Sequence, residues 1–382
     1  MGKLIINGRV YRNATKSFEE LDILCEDGRI AEISPRGSIS RDSHEVIDLD
    51  GRLLLPGMID VHTHGRDGFD FNTVTPENMK KMAQGYASCG VTTVMPTLAS
   101  APFEELTRAL REINSFDACE DGAYFCGVHL EGRYLNPEKK GAHAPEYLAP
   151  LDASELDAPE FGKCSALHIS AAYELDSDGS FAKKAKELGA TLAMGHTSAS
   201  YAEAKMAEDR GVSAYAHLFN AMPPLHHREG GAAAACLTGD AYGELICDGI
   251  HISPEMVALA YRCTRDRLVL VSDSMEATGA ADGEYFIAGN PVTVKNGKAM
   301  THGGALAGST LTLDRAVNNL MRFCGISLKE AILCATEAPA REVGIFDGCG
   351  SIDKGKRADL LVCDPDETSL KIEKIMLRGR FI

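Results

Sequence analysis

The chain has 382 residues, of which 45% are hydrophobic and 25% are charged. This mixture is typical of globular proteins and excludes disorder as the main state. Asp and Glu number 55 against 39 Lys and Arg, so the formal net charge is −16, which argues against a protein that binds nucleic acid or anionic membranes. A small anionic substrate stays compatible with this charge, because a few local Arg and His residues can bind it.

The twelve cysteines show no C-x-x-C spacing, and most lie in apolar runs, as Cys25, Cys126 and Cys247 do. This distribution predicts buried free thiols rather than a cysteine-based zinc or redox motif. The segment MGKLIINGRVY has no apolar signal-peptide region, and no apolar run approaches the ~18 residues of a membrane span. We therefore expect a cytoplasmic location, where thiols stay reduced.

The two ends of the chain predict short β-strands. KLIINGRVY, LDILCEDGRIAEI and HEVIDLDGRLLL are separated by Asn-Gly or Asp-Gly dipeptides, which favour hairpin turns. Similar runs, GSIDKGKRADLLVCDPD and LKIEKIMLRGRFI, lie near the C-terminus. We therefore predict one small β domain that is assembled from residues 1–55 and 345–382.

Between these ends, residues 56–344 alternate strand and helix. Eight apolar strand candidates follow one another: LLLPGMIDVHTH, GVTTVMPTL, AYFCGVHLEG, CSALHISAAYE, TLAMGHTSA, SAYAHLFNAM, GELICDGIHI and RLVLVSDSM. Helices are predicted to begin at Thr75-Pro76, at Ser200 with Glu203 as a capping box, and at Ser253-Pro254. This alternation predicts a parallel α/β fold, and eight strands favour a closed (β/α)₈ TIM barrel.

Polar side chains gather at the ends of six of these strands. They are His62 with His64, Glu131, His196, His217 with Asn220, His251, and Asp273. Barrel enzymes form their active sites at the C-terminal ends of the strands, so these residues lie where a site is expected.

Five of these residues have the chemistry of a divalent-metal site. His62 and His64 alternate along one strand, so both imidazoles project from the same face. Glu131 ends a strand that is otherwise nearly uncharged, where a carboxylate needs a partner. His196 and His217 occupy matching positions on consecutive strands. Nitrogen and oxygen ligands without a thiolate favour a catalytic zinc or a similar ion, although any single His could instead be a hydrogen-bonded core residue.

Asp273 closes an apolar strand, LVLVSDSM, at the predicted mouth of the barrel. A carboxylate opposite an activated water can accept its proton and later deliver it to a leaving group, which makes Asp273 the candidate catalytic acid and base. The alternative role is a helix N-cap after the strand. Asp60 and His129 share strand faces with the candidate ligands, so we expect them to support the ligands or to pack.

Several motifs, in this order along the chain, resemble one family. They are PGMIDVHTHG, HLEG, GHTSAS, HLFNAMPPLHHRE, DGIH, SDSMEATG, LAGSTLTLDRAVNN and ADLLVCDPD. They are similar to the N-acetylglucosamine-6-phosphate deacetylases of the amidohydrolase superfamily over essentially the whole chain. The resemblance implies a distorted (β/α)₈ barrel with a β-sandwich, usually in a dimer, that removes acetate from the amine of N-acetylglucosamine 6-phosphate.

The resemblance also implies roles for individual residues. Glu131, His196 and His217 would hold a main divalent ion, and His62 with His64 would help to hold a second. One or two ions would then bind per subunit; zinc is the expected metal, and iron, manganese or cobalt are alternatives. Asp273 would act first as general base and then as general acid.

The remaining roles concern the substrate. The phosphate end would be bound by Asn220, Ala221, Arg228 and His251. Arg228 and His251 would come from the neighbouring subunit of a homodimer. The sugar and acetyl group would contact Ala142, His143, Leu306, Ala307 and Gly308, with His143 also holding the oxyanion of the reaction.

Three departures from the family pattern leave the sugar less certain than the reaction. Gly132 is followed by Arg133-Tyr134, Gly230 follows Glu229 where proline is usual, and Glu276 interrupts a run of small residues. A deacetylase for another acylated amino-sugar phosphate, such as the galactosamine isomer, is therefore an alternative. A non-catalytic scaffold is a second alternative, although such a protein would have lost the candidate ligands that this chain retains.

Overall fold

The computed structural model describes residues 2–117 and 119–382. The strands are, in chain order, β1 (Lys3–Arg12), β2 (Ser17–Glu26), β3 (Arg29–Pro35), β4 (Glu45–Asp48), β5 (Leu53–Pro56), β6 (Met58–Thr63), β7 (Gly65–Arg66), β8 (Phe69–Asp70), β9 (Val91–Ala99), β10 (Tyr124–Phe125), β11 (Val128–Glu131), β12 (Leu167–Ala171), β13 (Thr191–Met194), β14 (Val212–Tyr215), β15 (Tyr242–Ile246), β16 (Leu268–Val271), β17 (Gly283–Ile287), β18 (Asn290–Lys295), β19 (Lys298–Thr301), β20 (Leu360–Cys363), β21 (Ile372–Leu377) and β22 (Arg380–Phe381). The α-helices are α1 (Pro76–Ser88), α2 (Phe103–Asn114), α3 (Ser180–Glu187), α4 (Tyr201–Asp209), α5 (Gly231–Thr238), α6 (Pro254–Thr264), α7 (Leu313–Cys324), α8 (Leu328–Ala331) and α9 (Glu337–Glu342).

The strands from the two ends of the chain form one sheet of eight strands. Its order is β22-β21-β20-β5-β1-β2-β3, with β4 also paired to β1. Successive side chains of a strand point to opposite faces, and here the two faces have different partners. Leu54 packs in a cluster within the terminal sheet, whereas its neighbours Leu53 and Leu55 pack into the main core of the barrel. The sheet is therefore held to the barrel by every second residue of β5.

Eight parallel strands form the barrel, each paired with the next: β6, β9, β11, β12, β13, β14, β15 and β16. The first and last of them meet through a parallel bridge between Thr63 and Ser274. Beside this bridge the Asp273 N–H donates to the His62 carbonyl at 2.9 Å. These are the eight strands that the sequence predicts, so the predicted barrel with a β domain from both termini is confirmed. The boundaries at residues 55 and 344 stay a prediction.

Two of the predicted helix starts have side-chain caps. The Thr75 hydroxyl accepts from the Asn78 N–H at 3.3 Å at the start of α1. At the start of α4, Ser200 and Glu203 form the predicted capping box. Ser253 occupies the cap position of α6, as predicted, but its side chain accepts no bond from the helix backbone.

The turn prediction is correct at Asp27-Gly28, which joins the antiparallel strands β2 and β3 with φ of 48° and 75°. It is wrong at Asn7-Gly8, which lies inside β1 at a shift of its register with β2. A bulge of this kind accepts a residue with positive φ, and Asn7 has φ of 56°. Asn-Gly therefore marks a left-handed backbone here, but not a chain reversal.

Two segments depart from a regular barrel. Residues 132–166, between β11 and β12, form short 3₁₀ turns and no α-helix. Between β16 and α7 the chain inserts the antiparallel sheet β17-β18-β19, which the sequence analysis did not predict. Val292, Val294 and Ala299 of this insertion pack with Met275 and Ala307 in a separate apolar cluster. The insertion thereby forms one wall beside the mouth of the barrel.

All twelve cysteines are free thiols, and seven of them are buried. In the described part of the chain, no helix combines the length and the apolar character that crossing a bilayer requires.

Candidate metal centre and active site

Three of the predicted site residues follow barrel strands at the same offset. His196, His217 and Asp273 each lie two residues beyond the end of β13, β14 and β16. Their backbones are left-handed, with φ of 47°, 33° and 47°. This conformation is costly for residues other than glycine, and such strain concentrates at functional sites. The shared geometry turns all three side chains toward the barrel axis, where they meet β6 and β11.

The Glu131 carboxylate, 2% exposed at the end of β11, is the meeting point of these side chains. Its Oε1 lies 2.9 Å from His217 Nε2, 3.2 Å from His196 Nε2 and 3.3 Å from His62 Nε2. Its Oε2 lies 3.1 Å from His64 Nε2. With Asp273 these residues form what we call the mouth cluster: His62, His64, Glu131, His196, His217 and Asp273.

The ring nitrogens that face the centre of the mouth cluster suit a bound cation. His196 Nδ1 donates to the Lys139 carbonyl at 2.7 Å, so in the neutral ring Nε2 presents a lone pair. That Nε2 faces His217 Nε2 at 3.0 Å and the Glu131 carboxylate at 3.2 Å. His62 Nε2 is buried without a hydrogen-bond partner. A divalent ion satisfies such a convergent set of nitrogen and oxygen atoms.

The electrostatics of the mouth cluster point the same way. Burial would lower the pKa of His64, but hydrogen bonds to Asp273 and Glu131 raise it to about 9. Burial would likewise lower the pKa of His62, yet the charges of Glu131 and Glu244 raise it well above its ordinary value. The carboxylates therefore stabilise positive charge in the mouth cluster, either as protons on the histidines or as a metal ion.

Asp273 lies between the metal-type ligands and open space. Its Oδ1 is 3.2 Å from His64 Nε2 and 3.7 Å from His62 Nε2. Burial would raise the pKa of this carboxyl, but hydrogen bonding to His64 and the charges of both histidines hold it below its ordinary value. Asp273 is therefore an ionised proton acceptor at neutral pH, next to the position of the candidate ions.

His143 has a defined tautomer beside the mouth cluster. The Ser100 N–H donates to His143 Nδ1 at 3.3 Å, so Nδ1 has no proton in the neutral ring and Nε2 carries it. Burial lowers the pKa of His143 to about 4 against the opposing effect of Glu131. The Nε2–H lies 3.7 Å from Glu131 Oε2 and borders the cavity, where it can donate to a substrate oxygen.

Above the mouth cluster lies a cavity of about 340 Å³, large enough for a small-molecule ligand. Ten predicted site residues line it together with His64 and Asp273: Glu131, Ala142, His143, His196, His217, Asn220, Ala221, His251, Leu306 and Gly308. His62 lies beneath them, fully buried, and Ala307 packs into the apolar cluster of the insertion. Ile287, Ala288 and Ala305, which sequence reasoning missed, come from the insertion and add an apolar wall.

Two predicted phosphate ligands differ in their placement. His251 lines the cavity of its own chain, because Asp248 Oδ2 holds its Nδ1 at 2.7 Å. This differs from the expectation that His251 comes from a neighbouring subunit. Arg228 instead lies in an exposed loop, with its Nη1 2.8 Å from His227 Nε2, and does not line the cavity. Among the described residues that line the cavity, Lys139 is the single Lys or Arg.

The two residues of the departure at Arg133-Tyr134 do not line the cavity. Arg133 Nη2 and the Tyr134 hydroxyl contact the two oxygens of Glu155 at 2.8 and 2.7 Å, and neither side chain lines the cavity. Arg133 adopts φ of 48°, which turns it away behind β11. This pair therefore anchors the segment after Glu131 rather than contacting a ligand.

Residues behind the cluster fix its orientation. Asp60 Oδ1 accepts from the His62 and Ser272 N–H groups at 3.4 and 3.3 Å, and burial raises the pKa of Asp60 to about 6. His129 lies between Thr97 and Ser170, with its ring centroid 4.5 Å from that of His62. Both residues support the cluster, as predicted from their strand faces.

Glu244 of β15 was missed by sequence reasoning. Its Oε2 lies 2.7 Å from His62 Nδ1, and it also accepts from the His217 N–H at 3.3 Å. This carboxylate therefore orients two candidate ligands. The available signal was a lone carboxylate in an otherwise apolar strand, the same signal that identified Glu131.

Comparison with known proteins agrees with this geometry. Residues 53–382 match the amidohydrolase family. The chain is 35% identical over 359 residues to an N-acetylgalactosamine-6-phosphate deacetylase of Escherichia coli O157:H7, covering 93% of this chain and 92% of that protein. It is 34% identical over 332 residues to an N-acetylglucosamine-6-phosphate deacetylase of Vibrio furnissii, covering 86% and 82%.

The similarity extends to three dimensions. The crystal structure of N-acetylglucosamine-6-phosphate deacetylase from Pasteurella multocida superposes with a TM-score of 0.91 and 27% identity, and the match covers 100% of both chains. The match therefore covers the barrel and the terminal sheet together. This chain belongs to the amidohydrolase family, whose hydrolases depend on divalent metal ions.

Proposed function

We propose that this enzyme hydrolyses the N-acetyl group of N-acetylglucosamine 6-phosphate, giving acetate and glucosamine 6-phosphate. The observation that supports this most directly is the Glu131 carboxylate, which is surrounded by four imidazoles with Asp273 at the cavity edge. Relatives named as deacetylases of hexosamine 6-phosphates match 86–93% of the chain. This set of groups can perform amide hydrolysis.

We assign the main metal ion to Glu131, His196 and His217, and a second ion to His62 and His64. Zinc fits best, because the donors are imidazole nitrogens and carboxylate oxygens without thiolates. A bound divalent ion supplies Lewis-acid polarisation of a carbonyl and lowers the pKa of water toward 7. Glu244 holds His62 Nδ1 and the Lys139 carbonyl holds His196 Nδ1, so both rings present Nε2 to the site.

Asp273 moves the proton in this mechanism. Its carboxylate accepts a proton from the water that adds to the acetyl carbon. It then donates that proton to the amine nitrogen as the C–N bond breaks, so that acetate and a free amine leave. Its ionised state and its place at the cavity edge suit both steps.

His143 and the cavity walls orient the substrate. The Nε2–H of His143 donates to the acetyl oxygen, on which negative charge develops during attack. Ala142, Leu306, Ala307 and Gly308 would pack around the sugar and the acetyl methyl. The phosphate would bind at the other end of the cavity, near Asn220, Ala221 and His251.

We also propose a homodimer in which Arg228 reaches the site of the neighbouring subunit. A sugar phosphate has nearly two negative charges, yet one chain lines the cavity with a single Lys. Arg228 lies outside its own cavity in an exposed loop. An isologous interface would bring this arginine to both sites at once. The free thiols favour the cytoplasm as the location.

The reaction is tested by acetate release from purified enzyme with N-acetyl sugars, each with and without a 6-phosphate. We expect metal-dependent release, faster by about tenfold or more in kcat/KM for the phosphorylated sugars. No release from any of them by metal-loaded enzyme would overturn the proposal. N-acetylgalactosamine 6-phosphate is the second candidate, because the relative from Escherichia coli is named for it. The ratio of kcat/KM for the two isomers decides between them.

The shared site is tested by complementation between two impaired variants, Asp273→Asn and Arg228→Ala, which are unfolded and refolded together and assayed at a substrate concentration well below KM. In a mixed dimer, one site takes its aspartate from one chain and its arginine from the other. Random mixing makes about half of the dimers mixed, each with one intact site, so activity should approach about a quarter of wild type. If Arg228 belonged to its own barrel, activity would not exceed the average of the parents.

A further inference from the structure

A second group of metal-type ligands lies inside the barrel, below the mouth cluster. It consists of His168 on β12, Glu244 on β15 and Glu342 on α9, with exposures of 0%, 0% and 2%. One ligand atom from each residue lies within 4.8 Å of the ligand atoms of the other two. We call these three residues the core cluster. The proposed deacetylation assigns no role to His168 or Glu342.

The facing atoms of the core cluster have no hydrogen-bond partner. Both Glu342 oxygens, Glu244 Oε1 and His168 Nε2 are buried and unpaired. The shortest ion-pair distance among them is 3.5 Å, from His168 Nε2 to Glu244 Oε1. Unpaired buried polar atoms are rare and costly, and a buried carboxylate costs more than a neutral group. The four atoms therefore indicate something that binds between them.

The hydrogen bonding of His168 favours a positively charged partner. The Thr191 hydroxyl donates to the Leu167 carbonyl at 3.4 Å, so its oxygen accepts from His168 Nδ1 at 2.7 Å. In the neutral ring the proton is then on Nδ1, and the lone pair of Nε2 faces the two carboxylates. Three electron-rich groups thus converge from three elements of the fold.

The two carboxylates of the core cluster do not bond to each other, because both Glu342 oxygens and Glu244 Oε1 have no hydrogen-bond partner. A cation between the three side chains contacts all of them and neutralises both carboxylates.

We propose that His168, Glu244 and Glu342 bind a divalent transition-metal ion of the zinc type, at a site separate from the mouth cluster. The donors are one imidazole and two carboxylates, which suit such an ion. The three side chains are at most 2% exposed, so the ion is enclosed and structural. Glu244 connects the two clusters, because its Oε1 faces the core ion and its Oε2 contacts His62 Nδ1.

The deciding experiment is anomalous diffraction from crystals of wild-type enzyme produced with zinc. Data collected on both sides of the zinc absorption edge should show a peak between His168 Nε2, Glu244 Oε1 and Glu342, apart from any peaks at the mouth cluster. A water, or empty space, at that position would overturn the proposal. This measurement needs no variant and no catalytic activity.

Elemental analysis of variants provides a second measurement. Glu342→Gln should lose close to one equivalent of metal relative to wild type. Glu337→Gln is the matched control, because Glu337 lies on the same helix but pairs with Arg341 at 2.7 Å instead. An unchanged metal content in Glu342→Gln would contradict the core site.

The result is independent of the proposed reaction. The double variant His62→Ala, His64→Ala should lose the weaker ion of the mouth cluster and retain the anomalous peak of the core cluster. Loss of the core peak in this variant would show that the two positions are not separate sites. Failure to release acetate from any sugar would leave the core peak unaffected, so the two proposals fail separately.

Discussion

The mouth cluster and the core cluster use the same donor groups in opposite surroundings. The mouth cluster lies at strand ends, where His196, His217 and Asp273 adopt left-handed backbones, and it borders a cavity of about 340 Å³. The core cluster lies within β12 and β15 and on α9, where its residues have regular backbone and almost no exposure. Structural metal sites are closed, and catalytic sites keep an open position.

Under the two proposals, this difference separates a catalytic ligand set from a structural one. Imidazoles and carboxylates occur in both clusters, so donor chemistry alone does not decide. The mouth cluster borders open space, and it has a candidate proton acceptor, Asp273, and a candidate donor to the substrate oxygen, His143. The core cluster can influence the reaction through Glu244, which contacts His62.

The largest effect is expected from Asp273→Asn. The variant keeps the shape of the side chain but cannot accept a proton, so kcat should fall by about 10²- to 10⁴-fold. The main ion and the folded state should be retained, because Asp273 is not among the proposed ligands of that ion. Near-normal kcat in a metal-replete variant would contradict the role of Asp273. The mouth cluster would then have no assigned proton-transfer residue, as the core cluster has none.

Arg228→Ala tests the proposed phosphate end of the cavity above the mouth cluster. Charge-assisted bonds to phosphate contribute about 1.5–3 kcal/mol, so KM for the phosphorylated sugar should rise about 10- to 100-fold. The same sugar without phosphate is the control and should show little change. Equal losses on both sugars would show that Arg228 acts on the fold or on another step.

Glu244→Gln tests the connection between the clusters. The amide keeps the size of the side chain but loses the charge that orients His62, so affinity for the second ion of the mouth cluster should fall about 10- to 100-fold. Titration of metal into stripped enzyme measures this, with Glu337→Gln as the control. Wild-type affinity in Glu244→Gln would mean that His62 is oriented by β6 alone.

The sequence predicted which side chains meet at the mouth of the barrel, because its signals are local. Each candidate ligand ends an apolar run, and parallel strands bring such ends together. Glu131 was found by its isolation in the strand VHLE, and Glu244 in YGELI shows the same isolation inside a strand rather than at its end. A search limited to strand ends therefore does not find Glu244.

The core cluster and the insertion could not be predicted in the same way. The meeting of Glu342 with His168 depends on how α9 packs beneath the strands, which no local pattern specifies. The insertion contains turn signals, such as Asn296-Gly297 between β18 and β19, but its packing beside the mouth depends on contacts with Met275 and Ala307. Arg228 shows the same limit, since its distance from the cavity is a property of the folded loop.

The smallest effect is expected from Ser200→Ala, at the start of the helix that follows His196. The Ser200 hydroxyl accepts from the Glu203 N–H at 3.3 Å, and loss of such a cap costs about 1 kcal/mol, or about 1 °C in Tm for a chain of 382 residues. Ser253→Ala is the matched control, because Ser253 has the same cap position in α6 without a bond from the helix backbone, and it should lose less.

Activity and metal content should stay at wild-type levels in Ser200→Ala. The segment after His196 is held independently, because Glu174 accepts from the Thr197 hydroxyl at 2.7 Å and from the Ser198 N–H at 2.8 Å. Thermal unfolding and metal analysis of the two variants separate the possibilities. Loss of metal in Ser200→Ala alone would show that the helix cap, rather than Glu174 and the ligands, maintains the left-handed backbone of His196. The start of α4 would then hold the strained backbone of the mouth cluster at His196, whereas the core cluster has regular backbone and needs no such support.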